Sequence, residues 1–368
     1  MSSGSSSPPP SAQRARCAPT EIADGWTVAE PEAVDLDRDE LYSAVDWLDG
    51  FTGSNVHSIV VVRRGMLVFE HYRKGADNHW GTSLPDAVHG PQVRHDLRSA
   101  TKSVTGLLIG LAHDRKLIPS LDEPVFTYFP EYADLRTAEK ERILLRHLLA
   151  MTAGLEWVEY VPLSDPRHGE VRMWHSGDRV RTALEPHVVA PPGVLWNYSG
   201  GCTELLGAVL RKAAGKPIDQ FAGETLFGPL GIEDLEWGHY DGSPAASGGL
   251  CMRSRDLAKI GQLVVSRGRW HAGQLIPAQW IDDSFAPRIG TPDGLYFYGY
   301  HWWLGRSLLR QGEVVWASAT GYGGQRLFVV PSLEVVVVVT AGHYGDPLGS
   351  WLPLVILNRF VLPAVKAS

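Results

Sequence analysis

Apolar residues run together or alternate at the two ends of the chain and recur at helical spacing between them. Ser58-Ile59-Val60-Val61-Val62 and Met66-Leu67-Val68-Phe69-Glu70-His71-Tyr72 are β-rich runs on either side of Arg63-Arg64-Gly65, which predicts a hairpin. The pattern returns late, where 299–304, 314–317, 325–330 and 334–340 predict strands separated by turns. The apolar run 335–340 is far too short to cross a membrane and reads as a buried strand. Leu41, Val45 and Leu48 share one face of a helix predicted over 34–51. Val104, Leu107, Leu108 and Leu111 do the same for a helix from Ser99 to about His113. Further helices are predicted over 143–149, 202–214, 221–227, 256–267, 277–285 and 350–362, with Pro353 interrupting the last. Residues 79–95 and 164–193 read as loop.

Strands at both ends with helices in the middle predict an α+β fold. Its simplest form is one antiparallel sheet flanked by helices, built from both chain ends, with a mostly helical domain inserted. The expected division is a sheet lobe over 26–98 and 296–368 and a helical lobe over 99–295, the Ser99 helix opening the latter. Residues 1–25 begin with a Ser- and Pro-rich stretch carrying Arg14 and Arg16 and no apolar run. They read as a disordered tail rather than a signal peptide.

Composition narrows the function. The 368 residues are enough for more than one lobe, and the formal net charge of −7 offers no electrostatic case for nucleic acid or an anionic membrane. The 14 histidines are scattered, with no HExxH and no paired CxxC, so no dedicated metal site and no cofactor are expected. Cys17, Cys202 and Cys251 are odd in number and far apart. That argues against a disulfide framework and fits a reducing, cytoplasmic setting. Nothing in the pattern speaks to oligomeric state.

The candidate chemistry centres on 96–108. Ser99 stands at the predicted helix start, where serine is a favoured cap and backbone N–H groups are unpaired. Lys102 follows three residues later on the same helix face. A hydroxyl beside an amine at the positive end of a helix dipole is a candidate nucleophile, although the spacing alone is common. Trp196-Asn197-Tyr198-Ser199-Gly200 follows the Pro192-Gly193 turn and offers a tyrosine that can face a cleft. Thr320-Gly321-Tyr322-Gly323-Gly324-Gln325 precedes a strand with glycines that allow close backbone approach to a ligand. Met151-Thr152-Ala153-Gly154-Leu155-Glu156-Trp157 reads as a structural helix end.

In this order, these stretches and Leu226-Phe227-Gly228-Pro229-Leu230-Gly231-Ile232 make the chain, from about Ser58 to Val339, resemble the penicillin-recognising serine hydrolases. The resemblance is closest to the class C β-lactamase-like branch, with its family VIII carboxylesterases and 6-aminohexanoate-dimer hydrolases. It implies a β-lactamase/transpeptidase-like fold and an acyl-enzyme on Ser99. Lys102 would keep Tyr198 partly ionised or take the serine proton itself. Tyr198 would serve as general base and then acid. The backbone N–H groups of Ser99 and Gln325 would form the oxyanion hole. Tyr322-Gly323-Gly324 stands where the family has K-T-G or W-G-G, and Gly200 stands where class C lactamases carry Asn. Both departures favour a neutral small-molecule ester or small linear amide over a β-lactam. Trp157, Tyr160, Trp174 and Trp196 are candidates for an apolar pocket wall. The alternatives are β-lactamase or D-amino-acid peptidase activity at the same site, and a catalytically silent binding protein.

Overall fold

The computed structural model describes residues 17–310 and 312–366. Its central sheet has nine strands. In spatial order these are Thr27–Val28, Met66–Tyr72, Val56–Arg63, Val335–Ala341, Gln325–Val330, Gly312–Gly321, Trp303–Leu309, Phe297–Tyr298 and Ile289–Gly290. Every pairing is antiparallel except the short Thr27–Val28 edge, which runs parallel to Met66–Tyr72. The two chain ends therefore meet in mid-sheet, where Val335–Ala341 pairs with Val56–Arg63 in register Val338 to Val60.

The strand Val335–Ala341, apolar but for Thr340, has no polar face because both of its faces are covered. Val336 and Val338 face a core shared with Leu257, Ile260 and Leu263 of helix Ser254–Val265. Val335, Val337 and Val339 face a second core with Leu41, Val45 and Leu48 of helix Arg38–Gly50 and with Leu352 and Ile356 near the C-terminus. The result is helix, sheet and helix in three layers. Gly261 lets the inner helix sit close, since a Cβ there would meet the Val336 side chain at 2.4 Å.

The helical region packs on the helix that follows Ser99, Thr101–Asp114, and on Gly200–Ala214, which ends at Gly215 with φ +65°. Among the described residues no helix is long and apolar enough to cross a membrane.

Three expectations change. Residues 79–95 are not plain loop: Lys74–His79 and Thr82–Val88 form a hairpin, and Arg94–Asp96 pairs with Leu250–Arg253. The polar composition and Pro85 hid these strands, which are stabilised by backbone pairing rather than by a buried face. The 164–193 stretch contains two short helices, Gly169–Trp174 and Arg179–Leu184. Of the expected disordered tail 1–25, residues 1–16 lie outside the described residues. Cys17 is buried and its carbonyl accepts from Glu70 N at 3.1 Å. Arg255, itself 1% exposed, bonds Glu70, Asp24 and the Thr20 carbonyl at 2.6–3.0 Å. That buried guanidinium ties the segment from Thr20 to Asp24 onto the sheet.

Candidate active site

The Ser99 turn is built by strain and close contact. Ser99 lies in the 3₁₀ turn Arg98–Ala100 that leads into helix Thr101–Asp114, and its side chain does not cap the helix, contrary to the expectation from its position. Arg98 adopts φ +51°, a costly conformation for a non-glycine residue. Asp96 Oδ1 accepts from Arg98 N at 2.9 Å. The Arg98 guanidinium bonds Asn78 O and Oδ1 at 2.8 and 2.7 Å and covers the Tyr344 ring. Gly321 presses against the same turn, since a Cβ there would meet Leu97 O at 2.2 Å.

Lys102 is 1% exposed, and its Nζ donates to Ser99 Oγ at 3.0 Å, to Glu170 Oε1 at 3.0 Å and to the Ser247 carbonyl at 2.9 Å. Glu159 Oε1 lies 3.9 Å from the same nitrogen. Glu159 Oε2 accepts from Trp157 Nε1 and Gly200 N, both at 2.7 Å. One cation thus faces two buried carboxyl groups. Burial alone would lower the Lys102 pKa, but the charges of Glu170 and Glu159 outweigh it and hold the ammonium above its usual value. Burial, and then the Glu170 charge, push Glu159 up to about 8 against the pull of Lys102.

Tyr198 is 8% exposed, with Lys102 Nζ 5.1 Å from its ring centroid. Burial, reinforced by Glu159 and Tyr160, raises its phenol well above the ordinary range, and the Ser99 hydroxyl only partly offsets this. The expectation that Lys102 keeps Tyr198 partly ionised finds no support: Lys102 Nζ bonds Ser99, Glu170 and the Ser247 carbonyl, and the phenol is shifted up rather than down.

Around Tyr198 stands an aromatic wall. Trp196, Tyr160 and Trp303 have ring centroids 6.0, 5.9 and 5.6 Å from it, and Tyr298 lies 6.5 Å away at 88°. Tyr160 is 69% exposed and forms the outer rim. Trp157 does not line the pocket. Its buried ring lies against Gly169 and Gly201, where added Cβ atoms would meet it at 2.5 and 2.9 Å, and its indole N–H orients Glu159. Trp174 is half-buried and stacks on Tyr240 at 5.7 Å, one helical turn beyond Glu170. Tyr322 is half-exposed at the tip of the Gly321–Gln325 hairpin, 5.7 Å from Tyr344. Gly323 and Gly324 have φ of +92° and +106° there. Gln325 is fully buried, and its side chain braces Ala341 N and O at 3.1 and 2.7 Å.

Sequence reasoning did not find Glu159, Glu170, Tyr298, Trp303 or Arg326. Glu159 sits in an aromatic-rich run and Glu170 in a polar one, neither with a periodicity that singles it out, so only their burial distinguishes them. Arg326, on strand Gln325–Val330, bonds Thr320 Oγ1 and pairs with no carboxylate among the described residues. Burial lowers its guanidinium to about 10, and Tyr296, Tyr198 and Tyr160 are the groups that feel its charge.

The beta-lactamase family profile matches residues 56–348, most of the chain and every element of this site. The chain belongs to the beta-lactamase family. A 6-aminohexanoate-dimer hydrolase of Paenarthrobacter ureafaciens is 24% identical over 311 residues, which is 79% of this chain and 73% of that protein. Monacolin J acid methylbutanoyltransferase of Aspergillus terreus is 30% identical over 153 residues, 38% of this chain. The match spans only 37% of the transferase's length. Among solved structures, a Bacillus anthracis protein provisionally assigned as a 6-aminohexanoate-dimer hydrolase superposes with a TM-score of 0.73 at 20% identity, covering 92% of this chain and 87% of that one. The fold is accordingly the β-lactamase/transpeptidase-like one.

Proposed function

We propose that the protein is a serine hydrolase that cleaves a carboxylic ester or a small linear amide through an acyl-enzyme on Ser99. The observation that carries this reading is the 3.0 Å contact from Lys102 Nζ to Ser99 Oγ, with the Tyr198 ring packed beside the same ammonium. Ser99 Oγ attacks the substrate carbonyl carbon. A neutral phenol serves as a relay: Tyr198 accepts the serine proton as its own proton passes to the leaving alkoxide or amide nitrogen. The Lys102 ammonium stabilises the negative charge that gathers on the phenol oxygen and Oγ during that exchange. Water then repeats the sequence on the acyl-enzyme. The carbonyl oxygen is received by backbone N–H groups of Ser99 and of the Gly321–Gln325 hairpin, Gln325 being the residue that the resemblance names. The aromatic wall suits an apolar acyl or leaving group. The esterase and amide hydrolase names among the relatives support the same reaction class, and the buried thiols of Cys17, Cys202 and Cys251 are in keeping with a cytoplasmic setting. Brief mixing with p-nitrophenyl butyrate should give a mass increase of one butyryl group on the peptide bearing Ser99. No adduct, no nitrophenol release and no reaction with a serine-directed phosphonate would sink the reading in favour of a silent binding protein.

Arg326 favours a second reading. Tyr322 replaces the lysine of the lactamase motif, yet the Arg326 guanidinium, without a carboxylate partner among the described residues, lies near Tyr198 and Tyr160, fit to bind a substrate carboxylate. On that reading Arg326→Leu raises KM about 10-fold or more for a carboxylate-bearing D-peptide or β-lactam and leaves KM for a neutral ester unchanged. Equal effects on both substrates would remove the carboxylate contact.

The raised Glu159 has a consequence for stability. Its folded pKa of about 8 exceeds the ordinary 4.5, so the folded chain binds more protons than the unfolded chain between those values. Stability contributed by this group is present below that window and is lost as pH rises through it. Glu159→Gln should flatten the fall in Tm between these two pH values, and an unchanged profile would assign the fall to other groups.

A further inference from the structure

Four ligand-type side chains from separate elements converge beside the Ser99 turn. His57 comes from strand Val56–Arg63, Asp77 from Lys74–His79, His95 from Arg94–Asp96, and His89 from the residue after Thr82–Val88. One donor atom of each lies within 4.8 Å of all the others. His57 and His95 are 0% and 2% exposed, and the side chains of Asp77 and His89 are 8% and 5% exposed.

The hydrogen bonds fix which nitrogens face inward. His57 Nε2 is flanked by two acceptors, Ala76 O at 3.0 Å and Asn55 Oδ1 at 3.1 Å, so it carries a proton and donates. Asn55 Nδ2 donates to the same Ala76 carbonyl, which sets the orientation of that amide. His95 Nδ1 lies 3.0 Å from the Asp96 carbonyl and donates to it. In neutral rings, His57 Nδ1 and His95 Nε2 are then both lone pairs, and they face each other at 2.8 Å. Two acceptors at that distance repel unless a cation lies between them or beside them. Asp77 Oδ2 is 3.4 Å from His95 Nε2 and 3.9 Å from His89 Nε2. Among the described residues, that buried His89 nitrogen has no hydrogen-bond partner.

We propose that His57 Nδ1, His89 Nε2, His95 Nε2 and Asp77 Oδ2 form a structural zinc site. Donors about 2.0–2.1 Å from a tetrahedral ion stand about 3.3 Å apart, and the distances here scatter around that value. Three imidazoles and one carboxylate are a donor set for zinc rather than for magnesium or calcium. The outer contacts are those a metal site needs: each of His57 and His95 donates its other N–H to a carbonyl, and Asp77 Oδ1 accepts from Tyr344 OH at 2.9 Å and Asn78 N at 2.8 Å. The absence of any contiguous metal motif concealed the site, because its ligands are separated by up to 38 positions, from His57 to His95. Its place suggests what it does. His95 adjoins Asp96, which holds Arg98 N, and Asp77 adjoins Asn78, which holds the Arg98 guanidinium. The ion would pin the polar hairpin and the Ser99 turn to the central sheet.

Tag-free full-length protein purified from zinc-supplemented culture should contain about one zinc per chain by plasma mass spectrometry. Chelation should lower Tm, and added zinc should restore it. His89→Ala and Asp77→Asn should each weaken zinc binding at least ~100-fold. If either variant fails to fold, cobalt added to metal-stripped wild type should give the visible absorption of a tetrahedral nitrogen and oxygen site. Wild type without zinc and without a thermal response to it would overturn the proposal and leave a proton shared between His57 and His95. Zinc retained undiminished in both folded variants would overturn it as well.

Discussion

Ser99→Ala is expected to lower turnover of an activated ester at least ~10⁴-fold and to abolish the butyryl adduct, while Tm moves little. The hydroxyl accepts from Lys102 Nζ at 3.0 Å. Without it there is no covalent intermediate, and only positioning and oxyanion contacts remain to accelerate attack by water. The fold loses one hydrogen bond, worth about 1 kcal/mol, because Lys102 keeps Glu170 and the Ser247 carbonyl. The measurement is a steady-state assay with intact mass spectrometry and a thermal melt on the same sample. Undiminished turnover would place the nucleophile elsewhere.

Lys102→Met should also end turnover, but for a reason that shows in stability. The substitution leaves Glu170 and Glu159 buried together without a counter-charge. Breaking a buried pair in this way costs about 3–5 kcal/mol. The double variant Lys102→Met, Glu170→Gln removes the stranded charge and should recover most of that loss, while remaining inactive. Chemical denaturation of wild type, single and double variants measures the stability terms, and ester turnover measures the chemistry. If the double variant regained activity, Lys102 would be a structural counter-ion rather than part of the proton path. If the single variant were as stable as wild type, the glutamates would not depend on the lysine.

Much of this protein was legible in its residue order, because the relevant interactions are local. Period-two and fully apolar runs follow from strands covered on one or both faces. The hairpin from Val56 to Tyr72, the buried Val335–Ala341 strand and the helix after Ser99 all rest on such patterns. Ser99 and Lys102 meet because they are one helical turn apart, a distance set by backbone geometry alone. What the order of residues could not show is which polar groups are buried together. Glu159 and Glu170 reach Lys102 from a loop and a six-residue helix, Arg326 comes near Tyr198 and Tyr160 from a sheet strand, and Tyr298 and Trp303 close the wall from the far end of the chain. The four-residue His and Asp cluster is assembled from three strands and a loop residue. Sequence determined the strongly patterned elements and the meeting of Ser99 with Lys102, because those depend on near neighbours. Tertiary structure decided the charge state around Lys102, the upward shift of the Tyr198 phenol and the convergence of the ligand-type side chains. Burial and the approach of distant charges set those properties, and neither is written in local spacing.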